Sequence, residues 1–306
     1  MVYSALSDDS TMSQFTRRKK IHINSSEDGA LTNFQIMLTI SYESAMQSLF
    51  QDIRFAELDN SYINYWIESS TESTTADVWI KTNVPASGGK DIYMYYGNAA
   101  LADGGDIGNT FIFGDDFDNI DNWVEQAGSW AVSNSILSTP VTTGAYLRSA
   151  NELSVSDEYI TRWRTRIRTA GNTEFAGFMK TNNPLVLAAS LASIIHDNNN
   201  LVYLAVNWGG WYNDVTPIIA NTWYKPELVV DSAGLNTARV YDDSNNLLAS
   251  VSNAADSSGG DFFGFRGDSN HPYDVDYMYI RKYIANEPTT SIGTEQHQRR
   301  VPIFIG

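Results

Sequence analysis

Apolar and polar residues alternate along most of this chain. In "KKIHIN" the pattern puts Ile21 and Ile23 on one side of an extended segment and Lys20, His22 and Asn24 on the other. A period of two marks a half-buried strand. "FQIMLTI", "IRFAEL", "YINYWIES", "ADVWIKT" and "DIYMYYG" repeat it and are crowded with Val, Ile, Tyr, Phe and Trp. Turn-forming clusters, "SSEDG", "ELDNS" and "PASGG", separate them. Helical periodicity is nearly absent, and only "YESAMQSLFQ" reads as a helical turn or two. Strands of this length and spacing predict an antiparallel β-sandwich.

The alternation breaks at "GNAALADGGDIGNT", where Gly, Ala and Asp give the composition of a linker. About a dozen short strands follow, from "TFIFGDDF" through "YITRWRTRIR", "LVYLAVNW" and "TARVYDD" to "DVDYMYIRKY", enough for a two-sheet jelly roll. The expected class is all-β, with two tandem antiparallel β-sandwiches. The expected domains are an arm over 1–13, a first sandwich over 14–100, a linker over 101–110, a jelly roll over 111–285 and a tail over 286–306. "VPIFI" near the end is apolar and β-prone with no core left to join, so strand addition to a neighbouring subunit is expected of it.

Composition narrows the function. A formal charge of −16 repels nucleic acid and anionic lipid at long range. The absence of cysteine removes disulfides and thiolate metal sites. His22, His196, His271 and His297 are scattered without ligand spacing. No run is long and apolar enough to span a membrane. The polar start, "MVYSALSDDSTMSQF", lacks the apolar stretch of a signal peptide, so a complete chain made in the cytoplasm and then released is expected. Charged residues are only 18%, and the Ser, Thr, Asn and Gly that replace them suit an extracellular or virion surface. The run "TRRKK" is short and has no recognition fold around it, so it reads as a strand with exposed charges rather than a nucleic-acid contact.

Four features could carry chemistry. "FGDDFDNIDNW" gathers acids that read as a solvated strand start or as a calcium site. In the calcium reading, Asp116 and Asp118 share a face and the closing strand brings Asp276 beside them. "RWRTRIR" aligns Arg162, Arg164, Arg166 and Arg168 on one strand face, which needs opposing acid. The acid comes from the protein itself (Asp242, Asp243 or Glu174), from a partner subunit, or from an acidic glycan gripped by the guanidinium forks. "VNWGGWYNDV" sets Trp208, Trp211 and Tyr212 around two glycines, a possible sugar-stacking platform with Trp211 at a loop tip. Trp223 and Tyr224 either join that platform or fill the core. Finally, "ELVVD" puts Glu227 and Asp231 on one face, but the three alternating acids of a jelly-roll glycosidase are missing.

The run "DIRFAELDNSYINYWIES", then "ADVWIK", then "DIYMYYGN" resembles the DUF2341 family, a β-domain of unassigned function. The resemblance covers roughly residues 14–100, with Phe15 where the family has Trp. The second part resembles a concanavalin A/laminin-G-type jelly roll through "DDFDNIDNW", "WYKPELVVDSAGLNTARVYDDSNNLLAS" and "DVDYMYIRKYIANEPTTSIG". These resemblances imply a binding or structural role and supply no catalytic residue to carry over. The expected function is therefore a non-catalytic structural or adhesive subunit of an extracellular assembly, first a prokaryotic-virus virion protein that self-associates or binds other virion subunits. Cell-surface glycans are the expected ligand, and calcium a possible structural cofactor. A stand-alone carbohydrate-binding module and a glycosidase are the alternatives.

Overall fold

The computed structural model describes residues 12–139, 144–153, 155, 158–168, 176–181, 190–196, 201–206, 210–231, 234–254, 262–267 and 272–297. They form antiparallel β-structure with a four-residue helix, as the alternation predicts. The chain divides into two compact units, Met1–Phe111 with Ile284–Gly306, and Ile112–Tyr283.

In the first unit β1 (Arg17–Ile23), β7 (Lys90–Tyr96), β3 (Arg54–Ala56) and β4 (Tyr62–Ile63) join β23 (Thr290–His297) in a sheet ordered β23-β1-β7-β3-β4. A second sheet pairs β2 (Leu31–Ser41), β6 (Thr75–Val84) and β5 (Tyr65–Thr71) in the order β2-β6-β5. Alternate residues, among them Ile21, Ile36, Leu38, Val78, Ile92 and Met94, fill the core. The residues that carried the family resemblance have structural work here. Asp52 accepts hydrogen bonds from the backbone N–H groups of Gln47, Gly97 and Asn98. The chain can turn there because Gly97 adopts a φ of +85° and a side chain would strike Thr16. Arg54 reaches the carbonyls of Gln51, Ile53 and Ala102 and the Tyr65 hydroxyl. Phe15 is fully buried against Tyr95, ring centroids 5.9 Å apart.

Three expectations change. Residues 290–297, placed in a tail, form β23 and pair with β1 from Arg17↔His297 to Ile23↔Thr290. Glu295 fixes the pairing by accepting from Arg17 Nε at 3.1 Å and from the Tyr96 hydroxyl at 2.8 Å. β1 is consequently an inner strand; Arg18 lies 4.0 Å over the Tyr93 ring, and Lys19 pairs with Glu43. The expected linker contains α1 (Ile107–Thr110), capped by Asp106, whose side chain accepts from Asn109 N. Phe111, which follows, packs edge-on against Trp66 and Trp79. "YESAMQSLFQ" makes successive turns, Met46 N to Glu43 O and Phe50 N to Gln47 O, rather than helix. "VPIFI" lies outside the described residues.

The second unit is an antiparallel β-sandwich of two sheets. One runs β10 (Ala131–Ser133), β11 (Ile136–Ser138), β22 (Tyr273–Lys282), β13 (Tyr159–Ile167), β18 (Tyr224–Val230), β19 (Asn236–Asp242) and β20 (Leu247–Asn253), with β8 (Phe113–Asp115) also on β22. The other runs β17 (Gly210–Val215), β16 (Leu201–Val206), β15 (Ser190–His196), β14 (Ala176–Thr181), β21 (Phe262–Gly267), β12 (Ala145–Ser149) and β9 (Trp123–Ala127). Their inner faces meet in a core that includes Leu147, Trp163, Leu204, Leu228, Phe265 and Met278.

Candidate functional site

Because a strand sends alternate side chains to opposite faces, Trp163 and Ile167 enter this core while Arg162, Arg164 and Arg166 leave it. β13 lies between β18 and β22, so its arginines meet residues from both neighbours. Arg162 is opposite Glu227 on β18, and its Nε and Nη2 donate to Glu227 Oε2 at 3.2 and 2.9 Å. Arg239 Nη1 and the Tyr241 hydroxyl donate to the other oxygen at 3.1 and 3.4 Å. Arg164 grips Asp243 with Nε and Nη2 at 2.7 and 2.8 Å and Asp276 with Nη1 at 2.6 Å. Arg166 Nε donates to Asp274 Oδ2 at 2.8 Å, and Arg168 Nε lies 3.2 Å from Asp274 Oδ1.

Aromatic rings complete the face. The Arg164 and Arg166 guanidiniums lie 4.3 and 4.7 Å from the Trp223 ring, and Arg162 lies 4.7 Å from Tyr241. Tyr277 and Tyr279 stack, 6.2 Å apart and 6° from parallel. Electrostatics lock the ionised forms. Burial by itself raises the Glu227 carboxyl, but Arg162, Arg281 and Arg239 outweigh it and hold the group below its ordinary value. Burial opposes the charge on Arg164, yet its bonds to Asp243 and Asp276 leave it more basic than usual. The hydrogen bond from Arg164 in turn lowers the Asp243 carboxyl.

The four predicted arginines thus converge, and the protein supplies their acids. Asp243 was foreseen; Glu227, Asp274 and Asp276 were not, because they depend on the sheet order that sets β18 and β22 on either side of β13. Glu174 lies outside the described residues. Trp223 was singled out for another place. Tyr224, its neighbour in sequence, points into the core, which sends Trp223 to the arginines.

The acids grouped as calcium ligands have partners within the protein. β8 does pair with β22, with Asp115 opposite Met278. A register shift between Arg164 and Thr165, however, leaves Asp276 without a partner residue on β13, and its carboxylate goes to Arg164. Asp118 accepts from Ser135 Oγ at 2.7 Å. Among the described residues no three acids or histidines gather as metal ligands, and the carboxylates of Asp118 and Asp276 are engaged by Ser135 and Arg164. The acid that organises the segment is Asp115, which accepts from Phe117 N, Asn122 Nδ2 and Trp123 Nε1 at 2.7, 3.0 and 2.8 Å.

The aromatic platform changes too. Trp208 lies outside the described residues. Trp211 is within β17, opposite Ala205, rather than at a loop tip, and Tyr212 packs partly buried against the core. Asp231, the second acid of "ELVVD", accepts from Leu235 N in a turn. The first unit has an open cavity of about 370 Å³, lined by Leu49, Gln51, Glu68, Ser69, Ser70 and Asp103 among others. Glu68 there accepts from Trp79 Nε1 at 2.6 Å, and Asp103 accepts from Gly105 N at 2.9 Å.

Residues 49–133 match the family described as a domain of unknown function, DUF2341. No curated protein matches the chain. Among solved structures, it is similar to the carbohydrate-binding module CBM66 from Bacillus subtilis, at 13% identity over 53% of this chain and 96% of that one, TM-score 0.42. Lectin II from Ulex europaeus is 14% identical over 54% of this chain and 94% of that one, TM-score 0.43. A legume lectin-like domain from Entamoeba histolytica is 9% identical over 54% and 92%, TM-score 0.44.

Proposed function

We propose that this chain is a non-catalytic carbohydrate-binding protein of an extracellular surface, and that its jelly roll presents the partly exposed Arg164, Arg166 and Trp223 of the β13-bearing sheet to saccharide. The observation that carries this reading is the array of guanidiniums and aromatic rings on that face, with Trp223 beside Arg164 and Arg166. Sugars offer apolar C–H faces to flat rings and oxygens to forked donors. Glu227 supports the non-catalytic part. A glycosidase needs one carboxyl that holds a proton and a second carboxylate across the scissile bond, whereas Glu227 is held ionised by Arg162, Arg239 and Arg281. The test is a glycan array with the full chain, alongside an assay for reducing ends on the same glycans. Binding that falls about tenfold in Trp223→Ala, without reducing-end release, is expected, as for loss of one stacking contact. Reducing-end release abolished by Glu227→Gln would establish the glycosidase instead.

A second reading, a subunit of a virion or similar particle, is favoured by β23. Among the described residues this strand ends its sheet, and it has five consecutive exposed residues, Gly293–His297. Light scattering and electron microscopy of the purified chain test it: a symmetric oligomer is expected, and a monomer at micromolar concentration rejects it.

A further inference from the structure

We propose that Arg166 and Arg168 form an anionic subsite on the jelly roll, which takes the carboxylate or sulfate of an acidic saccharide. This rests on the carbohydrate-binding reading above and narrows it to a ligand class.

The four arginines divide by how completely they are neutralised. Arg162 is 9% exposed and sends Nε and Nη2 to the buried Glu227 and Nη1 to Asn245. Arg164 has two carboxylates to itself, Asp243 and Asp276. Both are structural. Arg166 and Arg168 instead share one carboxylate, Asp274, which among the described residues leaves two guanidiniums to one acid at this end of β13. Asp274 is also committed elsewhere, because the Ser138 hydroxyl donates to its Oδ1 at 2.8 Å. The Arg168 Nε contact to that same oxygen is close but lacks hydrogen-bond alignment.

Exposure separates the pair from its counter-ion. The Asp274 side chain is 4% exposed, whereas those of Arg166 and Arg168 are 35% and 33% exposed. The carboxylate therefore lies underneath, and the guanidiniums face outward. Among the described residues, Arg166 hydrogen-bonds through Nε alone, so both Nη groups remain for a ligand. Arg168 uses Nη2 on the Thr139 carbonyl at 2.6 Å, which fixes its plane. Trp223 supports Arg166 from the side and is itself partly exposed, so a sugar ring can rest beside the captured anion. Two guanidiniums, Arg166 on β13 and Arg168 just past its end, held by Asp274 and the Thr139 carbonyl, are placed to meet planar or tetrahedral oxyanions. The feature runs against the chain's formal charge of −16, which repels polyanions at long range.

The test uses the full chain with three kinds of probe: polygalacturonate and alginate, heparin, and the uncharged dextran and xylan. The expected result is retention of at least one anionic probe and a much weaker hold on uncharged ones. Arg166→Gln and Arg168→Gln should each weaken it about tenfold, as for loss of one charge-assisted bond. Raising NaCl from about 50 to about 500 mM should weaken binding in the unmodified chain, which keeps the test decisive if a variant folds poorly. Anionic probes held no better than uncharged ones, or held equally by both variants, overturn the subsite. Binding confined to uncharged glycans would remove the subsite and leave the carbohydrate reading standing. No binding to any probe removes both.

Discussion

At the scale of single residues, a carboxylate in this fold acts according to what surrounds it. Glu227 is 2% exposed yet ionised, because Arg162 and Arg239 meet both of its oxygens. Glu227→Gln keeps the shape and removes the charge, which strands buried guanidiniums. The expected cost is about 3–5 kcal/mol in a urea melt, the range for breaking a buried pair by removing one partner. A loss below about 1 kcal/mol would show that Glu227 is not the anchor described here. Asp115 is the corresponding anchor of the opening segment. Asp115→Ala leaves the Trp123 indole N–H and the Asn122 amide without their acceptor, at a cost of roughly 2–4 kcal/mol. Because Asp276 is bound to Arg164, a chelator should leave the thermal melt of the unmodified chain unchanged; a lower midpoint in chelator would show a metal site among these acids.

At the scale of elements, the legible parts were those with a local signature. Alternation identified "KKIHIN" and "YITRWRTRIR" as strands and put the arginines of the second on one face, since both facts are properties of neighbouring residues. Asp243 apart, the acids that meet the arginines were not legible. Glu227 and Asp274 reach the arginines through sheet order, and Asp276 through a one-residue register shift that no pattern in "DVDYMYIRK" announces. β23 was missed for a different reason: "TSIGTEQH" is polar, and only its Ile292 packs against the core, so the strand has almost no apolar rhythm. It is nevertheless the partner that covers one edge of β1. A chain ending at Tyr283 should expose that edge. Amide exchange in β1 should then rise sharply while exchange in β13 stays as it was, with aggregation from the uncovered strand. Unchanged protection in β1 would mean that β23 adds little.

At the scale of the whole molecule, charge sets the pH range in which the fold holds. Among the described residues, Glu227, Asp243, Asp91, Asp242 and Asp59 have lowered carboxyls, and Arg164, His22 and Lys20 are among the groups that lower them. A carboxyl more acidic in the folded chain than in the unfolded one stabilises the fold fully above its unfolded value. That contribution is lost as pH falls through the lowered folded value. The denaturation midpoint should therefore stay nearly level from about pH 8 to about pH 5 and fall below about pH 4, where unfolded carboxylates take up protons first. Falling pH also removes the negative charge that opposes the guanidiniums, so the loss should centre on the β13 face. Glu227→Gln has already lost its share, and its midpoint should fall less steeply with acid than that of the unmodified chain. Parallel acid limbs for the two proteins would show that the arginine–carboxylate face is not what fails at low pH.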